Sequence, residues 1–152
     1  GFKRLILLNG HGGQISLLNT AARELRKIAP NLNIFPCFIW SGVKGLSDLL
    51  PQNEIANGLH ASLAETSLML AIKPEIVGAE RPFEGFSQKI PEGWSLEGDS
   101  PTAWMTNDLS KSGVIGDSRG ANEKLGNDLR NLLVKHWYKL FLSLMSSDWP
   151  NE

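Results

Sequence analysis

Of the histidines in this chain, His11 and His60 sit in settings that could do chemistry. His11 stands inside Asn9-Gly10-His11-Gly12-Gly13, where an apolar run stops and an amphipathic pattern begins. Glycines at such a place let a backbone turn sharply or approach a ligand closely. The imidazole could be a metal ligand, a general base or a donor to an oxyanion, or it could simply cap a tight strand-to-helix turn. There is no Gly-x-x-x-x-Gly-Lys-Ser/Thr pattern, so a nucleoside-triphosphate loop is not supported. His60 opens "HASLAETS", with Glu65 five residues on. That offset is not the i, i+3 or i+4 spacing of one helix face. The pair can work together only if His60 precedes the first turn and Glu65 points inward from the helix. A lone His60 would instead be a helix-start cap. Glu65 lies among the apolar Ala64 and Leu68, so its burial would require a partner.

A rival chemistry has its own motif. "GDSRG" (Gly116 to Gly120) satisfies Gly-x-Ser-x-Gly, the strained elbow that presents a nucleophilic serine in α/β-hydrolases. Ser118 would then be the nucleophile of an esterase, with Asp128 and His136 following in the order Ser, Asp, His. The "HGG" at His11 even imitates an oxyanion loop. Against this, Asp128 and His136 both fall within one long helical pattern, whereas triad partners normally sit on loops after strands.

These residues need elements to hold them. Phe2 to Asn9 reads as a strand whose continuous apolar run suggests burial on both faces, as in a parallel sheet. Ile15, Leu18, Ala22, Leu25 and Ile28 have helical spacing, and Pro30 lies just beyond. Leu32 to Trp40 reads as the next strand, which completes a βαβ unit with His11 at the carboxyl end of its first strand. Ligands favour that position in α/β folds. Ser41 to about Asn57 is polar and irregular. His60 to Ile72 reads as a helix stopped by Pro74. Gly78 to Thr102 reads as long surface loops, of the kind that border binding sites. A short apolar piece and turn follow at "GVIGDSRGANEKLG". A long helix then runs from about Ala121 to Met145, with a stripe of Leu125, Leu129, Leu132, Leu133, Leu140, Phe141 and Leu144. Trp40, Trp94 and Trp104 are expected in the core.

Composition bounds the function classes. The chain has 152 residues, 41% of them hydrophobic, which suits one globular domain over 1–152. A formal net charge of -1 without a basic block argues against nucleic-acid binding. The apolar runs fall short of the ~20 residues that cross a bilayer, and no leader pattern is seen, so no membrane role is expected. The single cysteine, Cys37, fits a reducing compartment such as the cytoplasm and reads as core filler.

Three ordered motifs carry a family resemblance. "GFKRLILLNGHGGQ" resembles the GF(K/R)-apolar-NGHGGN signature of the creatininase (creatinine amidohydrolase) family. "HASLAETSLMLAIKPEIV" is similar to that family's HAGxxETSxMLxxxPxxV helix, and "SGVIGDSRGANEKLG" to its C-terminal GVxGDPxxAxxEKG segment. The resemblance implies an α/β fold: a three-layer αβα sandwich with a mainly parallel sheet, whose N-terminal part is missing here. It implies a divalent metal centre (Zn, Mn or Fe), dinuclear in the complete protein, that hydrolyses a C–N bond in a small polar cyclic amide or formamide. His11 matches the metal-binding histidine. His60 matches the histidine that contacts substrate and assists proton transfer. Glu65 matches a carboxylate that supports the site. Gly12 and Asn57 match positions lining the substrate pocket. Family members also form hexamers, so a homo-oligomer is expected.

The departures bear on activity. The family's remaining metal ligands come from a Glu-x-His pair and a following aspartate, and no Glu-x-His occurs here. Gly13 replaces a glutamate ligand of creatininases proper, as in the family's deformylase-like branch, and Ser118 replaces the usual proline. Gly12 and Ala56 stand where creatinine-specific members carry tyrosine and tryptophan, so creatinine itself is not expected as substrate. With His11 as one assigned ligand, the isolated chain is expected to hold metal weakly and turn over little substrate, unless Asp108 or Asp117 completes the site. A non-catalytic binding or assembly remnant is the third reading.

Overall fold

The computed structural model describes residues 1–85 and 90–149. The part of the 78–102 loop reading that falls at 86–89 lies outside them. The chain divides into two compact units, residues 1–44 with 132–152, and residues 45–131.

In the first unit, β1 (Arg4–Asn9), α1 (Ile15–Ile28) and β2 (Asn33–Phe38) form the expected βαβ unit. The strands are parallel, in register from Arg4 beside Asn33 to Asn9 beside Phe38. The carboxyl half of a long helix packs in the same unit. There the Trp137 indole donates to the Ile39 carbonyl at 2.8 Å. Arg4 donates to the carbonyls of Leu144, in the last turn of that helix, and Ser147, just beyond it, at 2.9 and 2.8 Å. Cys37 is half-buried in β2, and burial pushes its thiol pKa up, so it is no ready thiolate.

The expectation of strands buried on both faces needs correction. β1 is mostly half-buried, and Leu8 is 51% exposed. The reason is sheet size: among the described residues this sheet has two strands, β1 and β2. On α1 the apolar stripe is likewise covered only in the middle, at Ala22, while Ile28 is exposed.

The second unit contains α2 (Leu46–Leu49), α3 (Gln52–Asn57), α4 (Leu63–Ile72), β3 (Phe83–Glu84), α5 (Thr106–Leu109) and β4 (Gly116–Asp117). The long helix α6 (Glu123–Met145) begins here. β3 and β4 pair antiparallel, and His60 bridges Ile115. The stretch read as irregular from 41 to 57 thus holds two short helices. Their apolar faces are too short to register as periodicity. Ile115, Leu129, Ser67 and Ser118 are fully buried. Trp94, expected in the core, is 61% exposed, on a shallow surface depression that it lines with Ile90, Pro91 and Leu96, while Trp40 and Trp104 are half-buried.

α4 and α6 meet backbone to backbone at Gly126. A Cβ there would lie 1.8 Å from the Ser67 carbonyl oxygen, and the Ser67 hydroxyl accepts the Asn122 N–H at 3.1 Å. Gly126→Ala is therefore expected to lower stability by roughly 1–3 kcal/mol, measured as a reduced denaturation midpoint at unchanged slope.

Glu84 ties β3 to the 110–113 loop. Its carboxylate accepts from the Ser112 hydroxyl at 2.6 Å, the Lys111 and Ser112 N–H groups at 2.8 and 2.9 Å, and the Ser110 hydroxyl at 3.0 Å. Those bonds, the Ser112 hydroxyl first, hold its pKa at about 2 against an ordinary 4.5. A depressed carboxylate stabilises the fold above its unfolded pKa and loses that contribution as pH falls through the folded value. The latch is thus whole above pH 4.5 and released toward about pH 2. Glu84→Gln should flatten the fall in stability across that window, read from denaturation midpoints at several acidic pH values.

Candidate functional site

The second unit builds a pair of chemistry-bearing side chains around one tight turn. His60 lies before α4, in a bridge where its N–H donates to the Ile115 carbonyl at 3.1 Å and its carbonyl accepts from the Ile115 N–H at 2.8 Å. Ala61 follows with φ +49°, the only described non-glycine residue in the left-handed region. Its N–H donates to Glu65 Oε2 at 2.7 Å, and its carbonyl accepts from the Thr66 hydroxyl at 2.8 Å. The turn brings His60 Nδ1 to 4.0 Å from Glu65 Oε2, both side chains being about one-third exposed. That is ion-pair reach, longer than a direct hydrogen bond. Of the two alternatives left open by the spacing, His60 precedes the helix and Glu65 turns back toward it.

His11 sits in the first unit, between β1 and a 3₁₀ turn at Gly12–Gln14. The buried Asn9 side chain accepts the His11 N–H at 3.1 Å and donates to the His11 carbonyl at 2.8 Å, a local clamp typical of asparagine. Gly10, Gly12 and Gly13 do not take positive φ. At Gly13 the missing side chain matters instead: a Cβ would lie 3.3 Å from His11 Nε2. Gly12 opens the 3₁₀ turn. Asn57 ends α3, where its amide donates to Asn53 Oδ1 at 2.8 Å.

The acids named as alternatives are engaged elsewhere. Asp117 holds Arg119 through both oxygens at 2.8 Å, and those bonds lower the Asp117 pKa and raise that of Arg119. Asp108 Oδ2 accepts the Met105 N–H at 2.7 Å at the start of α5. Sequence reasoning missed Glu54 and Ser62, and read Gly116 as part of an elbow instead of as the space for Ser62. Ser62-x-x-Glu65 is the spacing of a capping box, and it marks a helix start at Leu63 rather than His60. Glu54 gave no signal, because its partners lie eight and ten residues on.

The nucleophile-elbow reading fails on local geometry. Ser118 is 1% exposed and its hydroxyl donates to the Pro82 carbonyl at 2.7 Å. The positive φ of Gly116 serves packing: a Cβ there would lie 2.1 Å from Ser62 Oγ. Asp128 pairs with Lys124 at 2.8 Å on the surface of α6.

The fold class is that of creatininase-like α/β proteins. A protein of Bacteroides fragilis NCTC 9343, assigned as a creatinine amidohydrolase, matches with TM-score 0.78 at 23% identity over 98% of this chain and 56% of its own. A substituted creatininase in complex with creatine matches with TM-score 0.67 at 22% identity, over 97% of this chain and 59% of its own. A substituted creatininase of the Zn-Zn type gives 0.67 at 22%, over 97% and 58%. The chain therefore spans somewhat over half the length of these proteins. The family model for creatinine amidohydrolase matches residues 1–141, and the chain belongs to the creatininase family. No curated protein matches the sequence. No helix among the described residues is long and apolar enough to cross a membrane.

The Pro82 carbonyl takes both the Ser118 hydroxyl and the Ser118 N–H, the latter at 3.1 Å, so Ser118→Ala removes one of two bonds and should cost about 0.5–1.5 kcal/mol of stability. Any amide-hydrolysing activity should survive it. An esterase-type loss of more than a thousandfold at full folding would restore the serine reading.

Proposed function

We propose that this chain is part of a metal-dependent amidohydrolase that cleaves a C–N bond in a small, polar cyclic amide or formamide. The observation that carries the reading is the His60–Ala61–Glu65 turn, which sets an imidazole beside a carboxylate, in a chain of the creatininase family. The two units are read as one domain. The single cysteine is in keeping with a cytoplasmic protein, and the exposed apolar residues Leu17, Ile28, Val134 and Tyr138 are in keeping with a homo-oligomer.

The donor chemistry suits a divalent ion of the zinc, manganese or iron class. Imidazole nitrogen and carboxylate oxygen are its common protein ligands. Gly13 leaves the Nε2 side of His11 without a Cβ of its own. His11 would hold the metal. Such an ion, when bound, lowers the pKa of a coordinated water to about 7 and polarises a carbonyl.

The chain's own residues supply the rest. Glu65 fixes Ala61 through Oε2 and keeps His60 Nδ1 turned toward the carboxylate. The other nitrogen, Nε2, is then the one that passes a proton to the leaving nitrogen of the amide, a general-acid step worth typically 10²–10⁴-fold. Gly12 and Asn57 contribute to the substrate pocket. With no side chain at Gly12 and a small one at Ala56, the pocket lacks aromatic walls at these positions, which suits a small substrate other than creatinine.

The test uses the full-length parent against a panel of small cyclic amides and formamides, with elemental analysis. His11→Ala should lower bound metal below stoichiometric and reduce kcat/KM by at least about a hundredfold. His60→Ala should keep the metal and lose kcat. Full activity of the His11→Ala protein with metal content unchanged would refute the assignment.

A further inference from the structure

The buried carboxylate of Glu54 has no part in the function proposed above, yet it bonds to Ser62 and Ala64, which directly follow the Ala61 turn. Glu54 lies in α3 and is 7% exposed. Its Oε2 accepts the Ser62 hydroxyl at 2.5 Å, and its Oε1 accepts the Ala64 N–H at 2.8 Å. Ala64 is in the first turn of α4, where backbone N–H groups have no partner within the helix. Ser62 occupies the capping position but makes no side-chain cap of its own. The cap is supplied from another helix, by a carboxylate that the helix dipole favours.

Ser62 makes the second connection. Its hydroxyl hydrogen goes to Glu54, so its oxygen is left to accept, and it takes the Asp117 N–H at 2.9 Å. Asp117 is two residues from Ile115, the residue bridged to His60. A closed ring results: Ser62 to Asp117, back along the chain to Ile115, across to His60 and through Ala61 to Ser62, with Glu54 fastened to it at Ser62. Two glycines make room for it. A Cβ at Gly58 would lie 2.5 Å from Glu54 Cδ, and one at Gly116 would lie 2.1 Å from Ser62 Oγ. The ring includes Ala61, in a conformation that an alanine does not adopt unaided.

We propose that Glu54 is a positioning residue: through Ser62 and the Ala64 N–H it holds the Ala61 turn that sets His60 against Glu65. The proposal rests on the function assigned to that pair, but its geometry can be tested apart from activity.

The experiment is hydrogen exchange and histidine NMR on the full-length parent, comparing wild type with Glu54→Gln, Glu54→Ala and Ser62→Ala. Glu54→Gln keeps the shape and one acceptor, and serves if the alanine variant does not fold. The Ala61 amide should exchange on the order of tenfold faster in every variant that folds, while the amide of Leu129 is unchanged. The His60 imidazole resonances should move and those of His136 should not. In the full-length parent, kcat should fall on the order of tenfold with KM held, and Glu54→Gln should retain more activity than Glu54→Ala. Unchanged Ala61 exchange in a folded variant would overturn the proposal. So would Ala61 and Leu129 accelerating together, which would mean a loss of general stability. If the wild-type parent hydrolyses no amide while the exchange result holds, the functional reading fails and the positioning role stands.

Discussion

One backbone conformation organises the second unit: Ala61 at φ +49°. An L-residue with a Cβ in the left-handed region is disfavoured by about 1–2 kcal/mol, so the surroundings must over-determine it. They do so from both sides of the peptide. The Ala61 N–H goes to Glu65 and its carbonyl takes the Thr66 hydroxyl, both from the first turn of α4. Neighbouring His60 is fixed to Ile115 by a reciprocal pair of backbone bonds. The strained residue lies between two anchored ones, His60 in its bridge and Ser62 at the helix start. That break between bridge and helix lets an imidazole five residues before a carboxylate face it, which a continuous helix would forbid.

Long periodic elements were legible in the sequence because their signals are local. α1 begins and ends where the apolar spacing and Pro30 place it, and α6 spans nearly the whole expected range. The parallel pairing of β1 and β2 follows from a helix of the right length between two apolar runs. The degree of burial was not legible, because it depends on what else covers the sheet. The short elements were illegible for a different reason. β3 and β4 hold two residues each and exist because they pair with each other across some thirty residues of chain, while α2 is a single turn of four residues.

The candidate site divides along the same line. His11, His60 and Glu65 stood out by type, by glycine context and by resemblance. Glu54 and Ser62 did not, because a buried acid in "NEIAN" looks like any solvated helix residue until its acceptors are occupied. Glycine was equally misleading. In "GDSRG" the glycine and serine have the elbow spacing, yet Gly116 clears space for Ser62 and Ser118 is spent on Pro82. In "NGHGG" the glycines suggested a sharp turn, whereas Gly13 clears space beside an imidazole. The motif gives the residue; only the packing shows which atom it makes room for.

A common physical device runs through these details. Glu54, Glu65, Glu84, Asp108 and Asp117 each accept a backbone N–H at a turn or helix start. An ionised oxygen forms a stronger bond to an N–H than a neutral acceptor does, so short helices and tight loops are pinned without a large apolar core. Among these clamps Glu65 differs in one respect: the peptide it holds is next to a histidine, and its own oxygen is 4.0 Å from that imidazole. The same bond that stabilises the turn therefore sets the electrostatic surroundings of His60. One carboxylate thus both fastens the turn and faces an imidazole, which none of the other four clamps is shown to do.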